Sequence, residues 1–374
     1  MTTATATRAA DVAVEGLDVC AYTIPTDGPE SDGTLAWDST TIAVVEAHAG
    51  GETGIGYSYG HRAIASVAAG TLGGAVAGID AMDPPAAWAA MSRAVRNDGH
   101  AGLTAMAISA VDIALWDLKA RLLGVALVAL LGRWHECTPV YGSGGFTSYS
   151  TERLVAQLVG WVELGIPRVK MKVGRDPAAD PDRVHAVRDA IGEEPELFVD
   201  ANGAYGRKQA LEIAHRFRDL GRVSWLEEPV SSEDREGLAL IRDRAPAGMQ
   251  IAAGEYGYTL ANFGDLLGRG CVDVMQADVT RCGGITNLLR VDALCRARSL
   301  PLSGHCAPAV AAHALAACEC TIHLEYFHDH VRIEDMLFEG TLSPEGGALR
   351  PDHERPGLGL ELKRADAERY RVAG

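Results

Sequence analysis

Ionisable residues recur along the second half of the chain at the spacing of one strand–helix unit. The intervals between successive members are 28, 27, 28, 23 and 27 positions, and each member closes a short apolar run. A (β/α)₈ barrel uses about 30 residues for each unit, and the carboxyl ends of its strands share one mouth. The sequence therefore predicts that these residues meet in one site: Lys172, Asp200, Glu227, Glu255, Asp278 and His305.

Eight strand-like runs follow one another from about residue 137, with helical stretches such as 152–165 and 207–221 between them. Alternation of short buried strands with amphipathic helices is typical of a parallel sheet. Eight strands favour a closed barrel, which we place in residues 137–350. The runs are 139–144, 168–173, 197–202, 223–229, 250–255, 272–278, 300–305 and 322–327.

Residues 1–136 lack the strand–helix alternation and are predicted to form a separate α+β domain, with β-rich segments and a helical pattern at 107–124. The Gly- and Pro-punctuated stretch 26–39 and the stretch 51–61 are interpreted as loops near the barrel mouth. We expect the segment 351–374 to pack back on the first domain.

Composition excludes some partners. The formal net charge of −16 disfavours nucleic acid and anionic membrane surfaces. The sequence shows no apolar signal region and no uninterrupted apolar run long enough for a membrane helix, so a cytoplasmic protein is expected. Its eight scattered cysteines are expected to be reduced thiols. GIGYSYG does not have the spacing of a dinucleotide-binding loop.

Two lysines and three carboxylates indicate a metal and proton-transfer site. Lys170 and Lys172 lie two apart on one strand, so both point to the same face, and we expect one pKa to fall toward neutrality. A solvated lysine pair is the simpler alternative. Asp200, Glu227 and Glu255 at neighbouring strand ends suit a hard cation such as Mg²⁺. Carboxylates that cap helices or pair with arginines remain the alternative.

A carboxylate–imidazole pair follows on the next two strands. Asp278 beside His305 would fix the tautomer of the imidazole and raise its basicity. Glu325, on the eighth strand, could be an acid of raised pKa that donates a hydrogen bond. A core histidine satisfied by a neighbour is the alternative to a catalytic pair.

The ordered set VKMK, VDAN, WLEEP, GE, QAD…GGI, SGH and HLE resembles the mandelate racemase group of the enolase superfamily. AISAVDIALWDLKARLLG and PGLG extend the resemblance to nearly the whole chain. It implies a modified TIM barrel, (β/α)₇β, with an N-terminal α+β capping domain. It also implies proton abstraction α to a carboxylate, with Mg²⁺ as cofactor. Enzymes of this superfamily are known to use a Lys or His base together with Mg²⁺.

The resemblance also implies individual roles. Asp200, Glu227 and Glu255 would hold Mg²⁺, while Lys172 and His305, the latter supported by Asp278, would act as bases on opposite faces of the substrate. Lys170 would neutralise the substrate carboxylate and Glu325 would hydrogen-bond it. Further substrate contacts are expected from Asn202, Trp37, Tyr57, Tyr59 and Arg281.

Departures from mandelate racemase affect the expected substrate. That enzyme has a lysine near the sixth strand, where this chain has Arg281, and an asparagine after the third ligand, where this chain has Tyr256. A polar lid favours a polyhydroxylated acid over mandelate. We interpret His328-Asp329-His330, which has the HxH spacing of zinc amidohydrolases, as a loop because it follows the last strand rather than the first.

The sequence thus favours a Mg²⁺-dependent lyase that dehydrates an acid sugar through an ene-diolate. A racemase or epimerase, or a cycloisomerase, would use the same Lys–His pair. A non-catalytic ligand-binding barrel is the alternative of a different class. We expect a homo-oligomer, from dimer to octamer, that binds a small carboxylate and neither nucleic acid nor membrane.

Overall fold

The computed structural model describes residues 12–372, and eight parallel strands in it close into a barrel. The first, Thr138–Gly144, pairs with the second, Arg168–Lys172, on one side and with the eighth, Thr321–Phe327, on the other, so the barrel has no free edge. The predicted barrel is confirmed, with strands somewhat shorter than the apolar runs. Barrel strands 1 to 8 are Thr138–Gly144, Arg168–Lys172, Glu196–Asp200, Trp225–Glu227, Gln250–Ala253, Val274–Ala277, Leu302–Gly304 and Thr321–Phe327.

Helices alternate with these strands and form the outer layer. Apolar faces such as that of Arg207–Gly221, which buries Ala210, Ile213 and Phe217, pack against the barrel. The seven connecting helices are Thr151–Glu163, Asp180–Ile191, Arg207–Gly221, Arg235–Arg244, Leu260–Gly268, Gly284–Ala297 and Pro308–Ala316. His328–Leu337 follows strand 8. Its first turn contains His328-Asp329-His330, so the loop predicted there is wrong.

The N-terminal domain contains an antiparallel sheet of the strands Gly16–Ser31, Ala36–Ala49 and Glu52–Tyr59, with Arg371–Val372 on the outer edge. The loops predicted at 26–39 and 51–61 are therefore wrong. Most of the first segment belongs to a long hairpin whose register shifts between Pro25 and Glu30, and most of the second is the third strand. The bulge absorbs the Gly and Pro residues that suggested a loop.

A long helix, Leu103–Leu122, covers one face of this sheet. The two layers approach closely at Gly54 and Gly56, where an added Cβ would lie 2.2 Å from the carbonyl oxygens of Ala114 and Ala110 respectively. The domain is completed by shorter helices, Ala63–Val67, Gly73–Val76, Pro84–Ala94 and Leu127–Leu131, and a π-helical turn, Ala68–Leu72. Across residues 12–372, no helix combines the length and apolar character needed to span a bilayer.

Buried polar side chains join the N-terminal domain to the barrel. Asp112 accepts hydrogen bonds from the backbone N–H (2.9 Å) and hydroxyl (2.6 Å) of Thr286, at the start of the helix after strand 6. The Ser58 hydroxyl donates to the Thr280 carbonyl oxygen at 2.7 Å. The capping domain is therefore fixed against the loop that follows strand 6.

The C-terminal segment returns to the first domain. The Leu358 N–H donates to Asp117 Oδ1 at 2.5 Å, and Arg364 pairs with Glu46. The segment contains the helical turns Arg364–Ala367 and Glu368–Tyr370. Its short strand Glu361–Leu362 pairs with Phe338–Glu339, while the strand Ala348–Leu349 adds to strand 1.

Candidate active site

Three carboxylates converge at the carboxyl ends of strands 3, 4 and 5. Asp200 and Glu227 are the last residues of strands 3 and 4, and Glu255 lies two positions after the end of strand 5. All three are buried, and one oxygen of each lies within 4.8 Å of the others. Carboxylate oxygens at this spacing suit a hard divalent cation such as Mg²⁺.

The strand alternation explains both the site and the floor beneath it. Side chains two apart on a strand point to the same side, so Phe198 and Trp225 face inward below Asp200 and Glu227. The two aromatic rings stack at 5.2 Å between centroids. Trp225 Nε1 also donates to Glu227 Oε2 at 3.0 Å, which fixes the carboxylate above a buried aromatic layer.

Two buried oxygens support a cation at this place. Asn202 Oδ1 and Glu228 Oε1 have no hydrogen-bond partner among the described residues. Both residues lie just beyond the strand ends on left-handed backbone, with φ of 45° and 39°. Buried oxygens without partners call for a missing ion or water. The residues present therefore fit the magnesium that the sequence predicted.

The two lysines of strand 2 both contact the carboxylates, but at different depths. Lys170 is fully buried, 2.8 Å from Glu227 Oε1 and 2.8 Å from Glu325 Oε1. Lys172 Nζ lies 2.5 Å from Asp200 Oδ2 and faces the cavity above. Lys170 does not reach that cavity. This position argues against the direct contact with a substrate carboxylate that was expected of it.

The predicted fall of one lysine pKa toward neutrality is wrong in this state. Burial lowers the pKa of Lys172, but the attraction of Asp200 outweighs it and the pKa rises above its ordinary value. The same balance, with Glu227 as the main partner, raises the pKa of Lys170. The carboxylates thus dominate over repulsion between the two ammonium groups.

His305 lies between three carboxylates. Its Nδ1 is 2.8 Å from Asp278 Oδ2, while its Nε2 is 3.0 Å from Glu255 Oε2 and 3.4 Å from Glu325 Oε2. Burial opposes protonation of His305, but its acidic neighbours and Cys306 raise its pKa well above the ordinary value. The expected Asp278–His305 contact is present and orients the imidazole.

Glu325 does not have the raised pKa that the sequence suggested. Burial disfavours its charged form, but Lys170 and His305 hold its pKa well below the usual range. Its Oε1 accepts a hydrogen bond from the Ser143 hydroxyl at 2.6 Å. In this arrangement Glu325 is an acceptor and not a proton donor.

A cavity of about 700 Å³ opens above these groups. Its wall includes several residues expected at the site from sequence: Lys172, Asn202, Glu255, Arg281, His305, Glu325, Trp37 and Tyr59. Asp200 and Glu227 lie beneath it. Arg281 contributes its guanidinium 5.6 Å above the ring of Tyr256.

Tyr57 is the expected substrate contact that the structure places elsewhere. Its ring is fully buried and stacks on Phe338, and its hydroxyl donates to Glu334 Oε1 at 2.5 Å. Tyr57 and Tyr59 lie two apart on the same side of the strand, with 5.7 Å between ring centroids. Tyr59, at the strand end, borders the cavity, whereas Tyr57 lies one step deeper and joins the two domains. The expectation of a substrate contact at Tyr57 is therefore corrected.

Sequence reasoning gave no role to Cys306 and His330, which also line the cavity. His330 stacks on Tyr59 with 3.5 Å between ring centroids, and burial lowers its pKa to about 3. Cys306 directly follows His305, and this adjacency was the only signal available in the sequence. His330 belongs to the HxH pattern that we interpreted as a loop, and it borders the cavity from the first turn of the helix after strand 8, beyond the strand ends whose spacing we used.

The barrel with a capping domain and an acidic, lysine-flanked mouth defines an enzyme of the enolase superfamily. Residues 153–367 match the family model described as enolase C-terminal domain-like. Residues 27–132 match the N-terminal domain of mandelate racemase / muconate lactonizing enzyme. The chain belongs to this mandelate racemase / muconate lactonizing enzyme family, as its sequence motifs indicated.

Two relatives illustrate the activities found in the family. A 3,6-anhydro-alpha-L-galactonate cycloisomerase from Streptomyces coelicolor is 32% identical over 352 residues, covering 92% of this chain and 95% of the relative. An L-talarate/galactarate dehydratase from Salmonella typhimurium is 32% identical over 331 residues, covering 86% and 80%. The chain is accordingly a lyase or isomerase of the superfamily.

Solved structures agree in fold. A mandelate racemase/muconate lactonizing enzyme-like protein from Rubrobacter xylanophilus is 63% identical with a TM-score of 0.95, covering 96% of this chain and 100% of that one. A racemase from Streptomyces coelicolor with bound magnesium is 31% identical with a TM-score of 0.90, at the same coverage. The cofactor of this enzyme class is Mg²⁺.

Proposed function

We propose that this enzyme removes the proton α to the carboxylate of a polyhydroxylated acid and dehydrates it. The observation that carries the proposal is the meeting of two proton-transfer groups in one cavity. Lys172 from strand 2 and His305 from strand 7 line the same 700 Å³ space above three convergent carboxylates. Asp200, Glu227 and Glu255 would hold Mg²⁺ there.

The chemistry requires that a very weak acid loses its proton. Bound Mg²⁺ would supply positive charge for the substrate carboxylate, on which negative charge develops, and would offset the charge of its own carboxylate ligands. Lys172 takes the α-proton as a neutral amine. Asp200 holds the pKa of Lys172 high, and a cation bound to that carboxylate would lower it. Lys170, held by Glu227 and Glu325 from below, adds a fixed positive charge beneath the site.

Loss of the β-hydroxyl completes the dehydration. His305, oriented by Asp278, donates the proton with which the hydroxyl leaves as water. The cavity wall is rich in groups that can hydrogen-bond sugar hydroxyls, including Thr40, Thr41 and Tyr256. This lining supports an acid sugar, as does the similarity to L-talarate/galactarate dehydratase.

A cycloisomerase is the second candidate, and the similarity to 3,6-anhydro-alpha-L-galactonate cycloisomerase favours it. In that reaction the leaving oxygen belongs to a ring of the substrate rather than to a free hydroxyl. Racemisation or epimerisation would instead have His305 return a proton to the α-carbon. All three begin with abstraction of the α-proton by one member of the Lys172–His305 pair, chosen by the configuration of the α-carbon.

Exchange of the α-proton in heavy water, followed by NMR over a library of acid sugars, tests the shared step. Lys172→Ala should abolish exchange for one α-epimer and His305→Asn for the other. Turnover should fall by roughly 10²–10⁴-fold, the usual contribution of general acid–base catalysis. Lys208→Ala, on the exposed face of the helix after strand 3, is the matched control and should retain the wild-type rate.

The products separate the candidates. Loss of one water by mass indicates dehydration, an unchanged mass with inverted configuration indicates epimerisation, and ring opening or closure indicates cycloisomerisation. Near wild-type exchange with both epimers in Lys172→Ala would refute the two-base arrangement.

A further inference from the structure

Three different ligand atoms form a compact triangle on the cavity wall beside the carboxylates. Cys306 Sγ lies 3.5 Å from His305 Nε2 and 3.3 Å from Glu325 Oε2. His305 Nε2 lies 3.4 Å from Glu325 Oε2. All three residues are buried and border the cavity. An imidazole, a thiol and a carboxylate are the ligands characteristic of Zn²⁺.

Unusual backbone geometry brings the first two atoms together. Consecutive side chains on an extended strand point to opposite sides. Strand 7 ends at Gly304, and Cys306 and Ala307 both take left-handed backbone, with φ of 52° and 47°. This turn breaks the alternation, so the Cys306 thiol points to the same side as the His305 ring.

The edge lengths of the triangle match a tetrahedral site. Zinc bonds to N, O and S are about 2.0–2.3 Å, which at tetrahedral angles places such atoms about 3.4–3.6 Å apart. Two observed edges, 3.4 and 3.5 Å, lie in this range, and the Cys306–Glu325 edge of 3.3 Å is slightly shorter. We propose that His305, Cys306 and Glu325 form a second metal site that binds a thiophilic cation, Zn²⁺ in particular, with its fourth position open to the cavity.

This site differs in chemistry from the carboxylate cluster. Asp200, Glu227 and Glu255 offer only oxygen and suit Mg²⁺, whereas a thiolate selects the softer ion. Binding forms S–Zn and N–Zn bonds, and the protons of the Cys306 thiol and of His305 Nε2 leave to solvent. The ion also occupies His305 Nε2, which otherwise faces Glu255 at 3.0 Å. Zinc at this site therefore removes the proton-transfer function of His305 and inhibits the enzyme.

Cobalt provides a test that does not depend on turnover. Co²⁺ is added to the enzyme in saturating Mg²⁺, and the near-ultraviolet sulfur-to-cobalt charge-transfer band is recorded. Wild type should show the band, and Cys306→Ser should lose it, because serine keeps a hydroxyl but no sulfur. Cys320→Ser is the control: this half-buried thiol lies away from the cavity, and its removal should leave the band unchanged.

Competition with Zn²⁺ completes the experiment. Zinc should abolish the cobalt band, and its apparent affinity should fall by at least about tenfold in Cys306→Ser, since even outer-shell changes cost metal sites that much. Circular dichroism and Mg²⁺ titration check that the variant is folded. A band that persists in Cys306→Ser, or a wild type without any band, would overturn the proposal whatever substrate the enzyme uses.

Discussion

At the scale of single residues, the strand register predicted where the site groups lie but not their protonation. Lys170 shows why. It is fully enclosed by Glu227, Glu325 and Asp200, so its charge is balanced by neighbours from three other strands. A sequence pattern places each side chain on its own strand and says nothing about which partner dominates. The same limit applied to Glu325, whose lowered pKa comes from strands 2 and 7.

Adjacent Glu227 and Glu228 allow a sharp test of the metal ligands. Glu227 is one of the three convergent carboxylates, whereas Glu228 follows on left-handed backbone. Changing a residue that only supports a metal ligand typically weakens metal binding roughly 10–100-fold. Glu227→Gln removes a ligand itself, so it should weaken Mg²⁺ binding by more than roughly tenfold. Glu228→Gln should weaken it less. Calorimetric titration of both variants measures this, and equal losses would contradict the assignment of Glu227.

His313 makes stability depend on pH. It is fully buried, and neither ring nitrogen has a partner among the described residues. Burial, with a smaller effect of His353, lowers its pKa from 6.5 to about 4. Because the folded pKa is depressed, the folded state binds fewer protons than the unfolded one. Stability present above pH 6.5 is then lost as the pH falls toward 4, by up to about 3 kcal/mol.

Replacement of this histidine should reduce the acid sensitivity. His313→Leu has no ring to protonate and removes the two unpaired nitrogen atoms at this position. Its melting temperature should therefore fall less than that of wild type between pH 7 and pH 5, as measured by differential scanning calorimetry. Parallel falls in the two proteins would show that other groups control the acid response.

At the scale of elements, the long hairpin Gly16–Ser31/Ala36–Ala49 was the main error of the sequence analysis. Pro25, Gly28 and Pro29 are typical of loops, yet they fall where the register shifts between Pro25 and Glu30. The hairpin places Trp37 over the cavity, with its indole N–H donating to Glu30 Oε2 at 2.8 Å. Pairing along the whole length of these two consecutive strands decided the structure, and local turn signals could not reveal it.

Two aromatic residues of the capping domain should differ in their effect on substrate binding. Trp37 borders the cavity and packs edge-on against Phe146 at 5.6 Å, so Trp37→Ala should raise KM and leave Mg²⁺ affinity unchanged. The Tyr59 hydroxyl donates a hydrogen bond to the His330 carbonyl oxygen at 3.4 Å and is not directed at the substrate. Tyr59→Phe keeps the ring that borders the cavity. Steady-state kinetics should show little change in this second variant. A normal KM in Trp37→Ala would exclude the hairpin from substrate binding.

At the scale of the whole molecule, the barrel could be predicted from the sequence because its strands are local segments with regular spacing. The residues at strand ends followed from that spacing, and Lys172, Glu255 and His305 do border one cavity. Contacts between the N-terminal domain and the barrel could not be predicted from the sequence. Asp112 and Tyr57 meet partners on helices more than 170 residues later, at Thr286 and Glu334. Only the folded arrangement brings such pairs together.

The pairing of Arg371–Val372 with the first strand has a consequence for biosynthesis. Val372 lies opposite Ala21, which is 351 positions earlier in the chain (372−21). The ribosome synthesises the whole barrel before Arg371 and Val372, the residues that complete the N-terminal sheet. Contacts across so long a separation form slowly, because the intervening chain must first be ordered. The barrel can thus form during translation, whereas the sheet above its mouth is completed only after Arg371 and Val372 have left the ribosome.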